Sequence, residues 1–120
     1  MAPLVSITLS YGAREFSGFA LVDSGASGAV ISTIIAERLG IAWEKIPIVE
    51  GYSVGGTFLS HHVENLRAEI VDYSFQLSVS VIEALSPYRF ILGQTDLFHQ
   101  AKITFEEYKK QFTIEFRKFN

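Results

Sequence analysis

The chain has no cysteine, only three prolines, one methionine and one tryptophan in 120 residues. Without thiols there are no disulfides, no thiolate metal sites and no cysteine nucleophile, and the redox compartment is left open. With so few prolines and no low-complexity stretch nothing reads as a linker, so one domain is expected over residues 1–120. Charge is sparse as well, 19% of residues with a net charge of −3. The slightly acidic balance, with no dense Lys/Arg cluster, argues against electrostatic capture of nucleic acid. No run of about 18 apolar residues occurs, so no membrane-spanning helix is expected. The opening Met1-Ala2-Pro3-Leu4-Val5-Ser6 lacks the basic and apolar regions of a secretory signal. A cytoplasmic location is the default expectation.

Hydrophobic residues are plentiful, at 48% with ten phenylalanines and five tyrosines. That is too apolar for intrinsic disorder, and a chain of this length can bury roughly two-thirds of its unfolded surface. The pattern is mostly that of strands. Val5-Ser6-Ile7-Thr8-Leu9 alternates apolar and polar residues, as a half-buried strand does. Tyr11-Gly12-Ala13 turns the chain, and Phe16 to Val22 reads as a second strand leading into Asp23. The short apolar Ala29-Val30-Ile31 predicts a buried strand, followed by a brief helix from Thr33 to Leu39 with Ser32 or Thr33 as its cap and Gly40 as its end. Gly51 to Phe58 reads as a glycine-tipped hairpin, with longer strands near His62 to Val71 and Phe75 to Ile82. Beyond Ser86-Pro87 lie an apolar Phe90-Ile91-Leu92-Gly93 and a candidate short helix from Thr95 to Gln100. A last hairpin pairs Ile103-Thr104-Phe105 with the alternating Phe112-Thr113-Ile114-Glu115-Phe116. Many short strands separated by turn signals predict an all-β chain with a closed or folded-over sheet and one or two short helices.

One segment departs from strand logic. Leu21-Val22-Asp23-Ser24-Gly25-Ala26-Ser27 sets a carboxylate between an apolar strand and a glycine turn, and apolar sequence resumes at Val30-Ile31. An ionised carboxylate in such a place needs donors or a shared proton. Gly25 permits close backbone approach, and the Ser24 hydroxyl can bond nearby main chain. Taken alone, the triplet reads as an ordinary turn in which Asp23 caps local amides.

In order along the chain, these pieces resemble the retropepsin family, the single-domain aspartic proteases of retroviruses and their bacterial and eukaryotic relatives. The resemblance runs from Leu4 to Phe116. Its specific parts are Leu21-Val22-Asp23-Ser24-Gly25-Ala26, which matches the family's Asp-Thr/Ser-Gly-Ala signature, and Phe90-Ile91-Leu92-Gly93, which matches its hydrophobic-hydrophobic-Gly motif. The Gly51 to Phe58 hairpin falls where the family has its flap. The resemblance implies a closed barrel and an aspartic endopeptidase. Catalysis by this chemistry needs two carboxyl groups sharing one proton around a water. One copy of the motif per chain then implies a homodimer, with an Asp23 from each subunit. By the same resemblance Asp23 is the acid/base residue, Ser24 braces the partner's loop and Gly25 lets substrate approach. Ala26, Ser27, Ser53, Val54, Gly55 and Gly56 would line an extended peptide, with the glycine-rich tip closing over it. No cofactor or metal is implied. The rival expectation is a non-catalytic dimeric peptide-binding or scaffold module of the same fold.

The chain departs from the viral pattern at two positions. Viral members place a second Asp three residues after the catalytic one and an Arg just after the later Gly; here these are Ser27 and Gln94. Both halves of an ion pair are absent together, so neither leaves an orphan charge. The helix at Thr33 to Leu39 looks more like the non-viral relatives, and the terminal Phe112 to Phe119 strand is a candidate for a dimer sheet. Elsewhere, His61-His62 with Glu64 invites a metal reading, but neighbours on a strand point to opposite faces and do not converge. A pairing of His61 with His99 is left open. No Gly-x-Ser-x-Gly elbow supports a serine triad from Ser24, Ser27 or Ser53. Gly51 to Gly56 lacks the Lys-Ser/Thr of a phosphate loop. Asp72 and Asp96 read as solvated or capping residues, and Lys109-Lys110 as a charged turn.

Overall fold

A computed structural model of the chain describes residues 4–23, 28–53, 56–83, 89–93, 101–106 and 111–116, with side chains at 4–23, 28–50, 59–83 and 89–93. The first two strands, β1 (Leu4–Tyr11) and β2 (Arg14–Val22), form a hairpin in register from Leu4 opposite Leu21 to Tyr11 opposite Arg14. Its two-residue turn begins at Gly12, whose φ of +58° is the conformation that such turns assign to glycine. Strand β3 (Ala29–Ser32) runs into helix α1 (Thr33–Arg38). Ser32 caps this helix, accepting a hydrogen bond from the Ile35 amide through its buried hydroxyl. At the other end Gly40 adopts φ +72°, the Gly40 amide donates to the Glu37 carbonyl and the Ile41 amide to that of Ala36. This paired reach-back satisfies carbonyls that the last turn would otherwise strand. Ile35, Ala36, Leu39 and Ile41 are buried, so the helix is pinned by its apolar side as well as its caps.

A short 3₁₀ helix (Trp43–Lys45) leads to β4 (Ile48–Ser53), β5 (Gly56–Ile70) and β6 (Tyr73–Ile82). The expected hairpin at Gly51 to Phe58 and the expected strand near His62 to Val71 prove to be one structure, because β5 runs unbroken through both. Val71 lies outside the strand, in the turn to β6. Inward positions on β5 shift phase midway, from His61 and Val63 to Leu66, Ala68 and Ile70. A bulge between Val63 and Leu66 supplies the extra residue, with Asn65 at φ 66°. Asparagine tolerates that conformation better than most residues, and the bulge lets both halves of a long strand face the core. On β6 the alternation is unbroken: Phe75, Leu77, Val79 and Val81 are all buried.

The three-residue β7 (Phe90–Leu92) completes the main sheet, in the order β1-β2-β7-β3-β6-β5-β4. Pairing of Thr8, Leu9 and Ser10 on β1 with Glu69, Ala68 and Arg67 on β5 joins the sheet to itself. The result is a closed six-strand barrel with β4 attached outside it, in accord with the expected all-β barrel. Closure removes the open edges of the six strands. Ile7, Leu9, Ala20, Val22, Ile31, Leu66, Val79, Val81, Phe90 and Leu92 fill the interior. Strands β8 (Ala101–Glu106) and β9 (Gln111–Phe116) pair as a two-stranded sheet of their own. The expected helix at Thr95 to Gln100 lies outside the described residues, as does the end of the chain beyond Phe116. No helix among the described residues is long and apolar enough to cross a membrane.

The β5–β6 turn carries a measurable strain. Val71 has φ 54° and is 84% exposed, a left-handed conformation for a β-branched side chain with little burial to offset it. Val71→Asn should raise stability by about 0.5–1 kcal/mol, since asparagine accepts that conformation without glycine's entropy. The check is a higher denaturant midpoint at unchanged slope. An equal or lower midpoint would show that Val71 is not strained.

Candidate functional site

Asp23 follows the last residue of β2 and is half-buried. Its position is set by β7, a strand distant in sequence. Leu21 and Val22 pair in parallel with Ile91 and Leu92, and the Asp23 amide donates to the Leu92 carbonyl at 3.0 Å, carrying the ladder one residue further. On its other side β7 pairs antiparallel with β3, Ile91 opposite Val30 and Phe90 opposite Ile31. The two strands on either side of the Asp23 segment are therefore separated by a third strand that both bond. Both ends of the segment are tied to the same three residues.

Gly93 tightens this arrangement. A methyl group at its Cα would sit 2.5 Å from the Gly28 carbonyl oxygen and 2.6 Å from the Gly28 nitrogen, closer than any real side-chain carbon comes. The two backbones touch because Gly93 has no side chain. The end of the hydrophobic-hydrophobic-Gly motif thus packs on Gly28, the next described residue after Asp23. Each motif is visible in the sequence; their contact is a product of topology. Ser24, Gly25, Ala26 and Ser27 lie outside the described residues, as do Gln94, Asp96 and His99.

The hairpin formed by β4 and β5 has a different character. Ile48 pairs with His61 and Val49 with Ser60, and the ladder continues to Ser53 opposite Gly56. Pairing of β5 with β6 begins only at Ser60, opposite Ile82. Beyond that rung the hairpin is a two-stranded arm with no third strand among the described residues. Val49 and Leu59 occupy successive rungs, hence opposite faces, and are 53% and 50% exposed; Ile48 at its root is 55% exposed. Apolar residues are open to solvent on both faces of the arm. Val54 and Gly55 lie outside the described residues, and Ser53 and Gly56 are placed by backbone register alone.

His61 is buried and His62 on the next position is exposed, as opposite faces of one strand require. The His61 ring has partners that the sequence did not reveal. Its Nδ1 lies 2.8 Å from the Ile46 carbonyl oxygen, its Nε2 lies 3.2 Å from the Glu83 carboxylate, and Trp43 meets the ring edge-on at 5.2 Å. His62 instead approaches Glu64 on its own strand at 3.7 Å. Asp72 is exposed, in keeping with a solvated turn residue. Neither a protein-family model nor a curated protein sequence matches the chain.

Proposed function

We propose that the chain is an aspartic endopeptidase of the retropepsin type, working as a homodimer on extended peptide segments. The observation that carries this reading is the union of the two motifs: the strand leading into Asp23 and the strand leading into Gly93 lie side by side, and Gly93 closes on Gly28. A carboxylate needed only to cap a turn has no use for such bracing. Acid–base chemistry does, because a displaced carboxylate loses its alignment with the reacting atoms.

With an Asp23 from each subunit at a shared axis, two like charges in close approach cannot both ionise easily, so the pair holds one proton. The ionised carboxylate takes a proton from a water as its oxygen attacks the peptide carbonyl carbon. The protonated carboxyl gives its proton to the carbonyl oxygen, forming a neutral tetrahedral diol. Collapse of the diol breaks the carbon–nitrogen bond: the carboxyl that took the water's proton gives it to the leaving amine, and the other carboxylate takes one from a diol hydroxyl, which restores the pair with its single proton. The exposed β4–β5 arm suits the covering flap in this scheme, since an extended peptide can lie beneath it as an added strand. Ser53, Val54, Gly55 and Gly56 are assigned to that role, and Ser24, Gly25, Ala26 and Ser27 to the floor around Asp23.

The β8–β9 ribbon supports the homodimer. Its register pairs Ala101 with Phe116, Ile103 with Ile114 and Phe105 with Phe112, so apolar residues meet at every second rung. A two-stranded ribbon is marginal on its own, and no third strand pairs with it among the described residues. A second copy of the chain would give the ribbon a partner. The test is cleavage of a diverse peptide pool between about pH 4 and 7 over a protein dilution series. Specific activity should fall once the concentration drops below that at which dimers dissociate. Specific activity that stays flat where mass measurements find only monomer would sink the shared site. No cleavage at any concentration would favour the peptide-binding module.

A further inference from the structure

The cluster around His61 does not belong to the site described above, and its hydrogen-bond count is unusual. The Ile46 carbonyl can only accept, and an ionised Glu83 carboxylate can only accept. A neutral imidazole offers one N–H, yet both ring nitrogens sit within hydrogen-bond distance of these acceptors, at 2.8 and 3.2 Å. Both contacts hold only when the cluster carries one proton more than a neutral ring and an ionised carboxylate provide. Without it, a nitrogen lone pair faces an oxygen lone pair inside the protein, at one end of the ring or the other.

The location gives this proton a mechanical consequence. Ile46 is the last residue before Pro47 and the start of β4, His61 lies on β5 opposite Ile48, and Glu83 follows the last residue of β6. The bonds thus cross from the entry of β4, through β5, to the end of β6. Past this point the β4–β5 arm has no third strand beside it among the described residues. Trp43 closes over the ring, and its indole N–H donates to the Glu37 carboxylate on α1 at 3.4 Å.

We propose that His61, Ile46 and Glu83 form a proton-dependent latch at the root of the β4–β5 hairpin, which holds the arm in place at mildly acid pH and loosens it as the pH rises. The sign follows from the proton count: the latched form requires the extra proton, so conditions that remove it favour the unlatched form. The charged groups facing the ring are Glu83 just past β6 and, through Trp43, Glu37 from α1; Glu44 and Lys45 of the 3₁₀ helix are exposed. On its own strand His62 and Glu64 are exposed, and His62 lies on the opposite face. Glu83 is 48% exposed, so water softens the burial of this ion pair without supplying the missing proton.

Glu83→Gln tests the latch. The glutamine amide can donate to a neutral His61 Nε2 while Nδ1–H still donates to Ile46, so the contacts survive without the extra proton. The measurement is amide hydrogen exchange of Ile48 to Ser53, expressed as protection relative to intrinsic rates, between about pH 5 and 8, where histidines change charge. In the wild type, protection should fall by about tenfold over this interval, the weight of one charge-assisted hydrogen bond. In the variant it should be flat. Protection that is flat in the wild type, or that falls equally in both, would overturn the proposal. A second readout uses the wild type alone: the ¹⁵N shifts of the His61 ring should titrate with the loss of protection, and non-coincident transitions would also overturn it. Because exchange requires no substrate, failure here leaves the peptidase reading standing, and failure of that reading leaves the latch.

Discussion

Asp23→Asn should reduce peptide cleavage by a factor on the order of 10³–10⁴, about the full weight of an acid–base group, while the protein stays folded and dimeric. The substitution keeps the shape of the side chain and the hydrogen bond from the main-chain amide of residue 23 to the Leu92 carbonyl that places it. What it removes is the capacity to hold or pass a proton. In a dimer built around two such groups, it also removes the repulsion between like charges, so the variant should associate at least as tightly as the wild type. Sedimentation beside the activity assay separates these effects. Retained peptidase activity would mean that another group performs the chemistry. Lost activity with a lost dimer would mean that Asp23 holds the assembly together rather than acting in it.

Gly93→Ala should be the most damaging single-methyl change near the site. The new carbon would lie within 2.8 Å of three Gly28 backbone atoms, and backbone cannot rotate aside as a flexible side chain can. Either β7 retreats from β2 and β3, or the end of the Asp23 segment is pushed away. Overpacking of this kind costs about 1–3 kcal/mol, and the central place of β7 puts the expectation at the upper end. For a domain of this size the melting temperature should fall by roughly 10 °C. Any folded protein that remains should lose activity beyond the loss of folded fraction, since the displaced backbone carries Asp23. A variant with wild-type melting and activity would show that the Gly28–Gly93 contact is not close in solution.

Much of the barrel was legible because its strands alternate cleanly. Phe75, Leu77, Val79 and Val81 announce β6, and Ser32 with Gly40 bracket α1 through capping chemistry that acts within a few residues. The long β5 was harder to read. Its bulge at Asn65 shifts the apolar phase, and the polar His61-His62 pair breaks the pattern where the arm joins the barrel, so one strand looked like a hairpin strand followed by another. Asp23 stood out as a carboxylate between apolar strands. Its surroundings did not, because the insertion of β7 between β2 and β3 is a matter of topology, and three residues carry no periodicity. In the sequence His61 suggests only a possible metal ligand. Its actual partners are a main-chain carbonyl just before β4 and a carboxylate at the end of the neighbouring β6, and no sequence spacing encodes either.

The central claim is a site made of two Asp23 carboxylates, one from each subunit, and mixing subunits tests it most directly. Wild-type and Asp23→Asn chains are combined at fixed total concentration, allowed to exchange, and assayed for peptide cleavage. If the site is shared, every mixed dimer is inactive, and an equal mixture should retain about one quarter of the wild-type rate, the square of the wild-type fraction, or less where relief of charge repulsion favours the mixed dimer. A rate of about one half, falling linearly with that fraction, would show that each subunit works alone and would contradict the account.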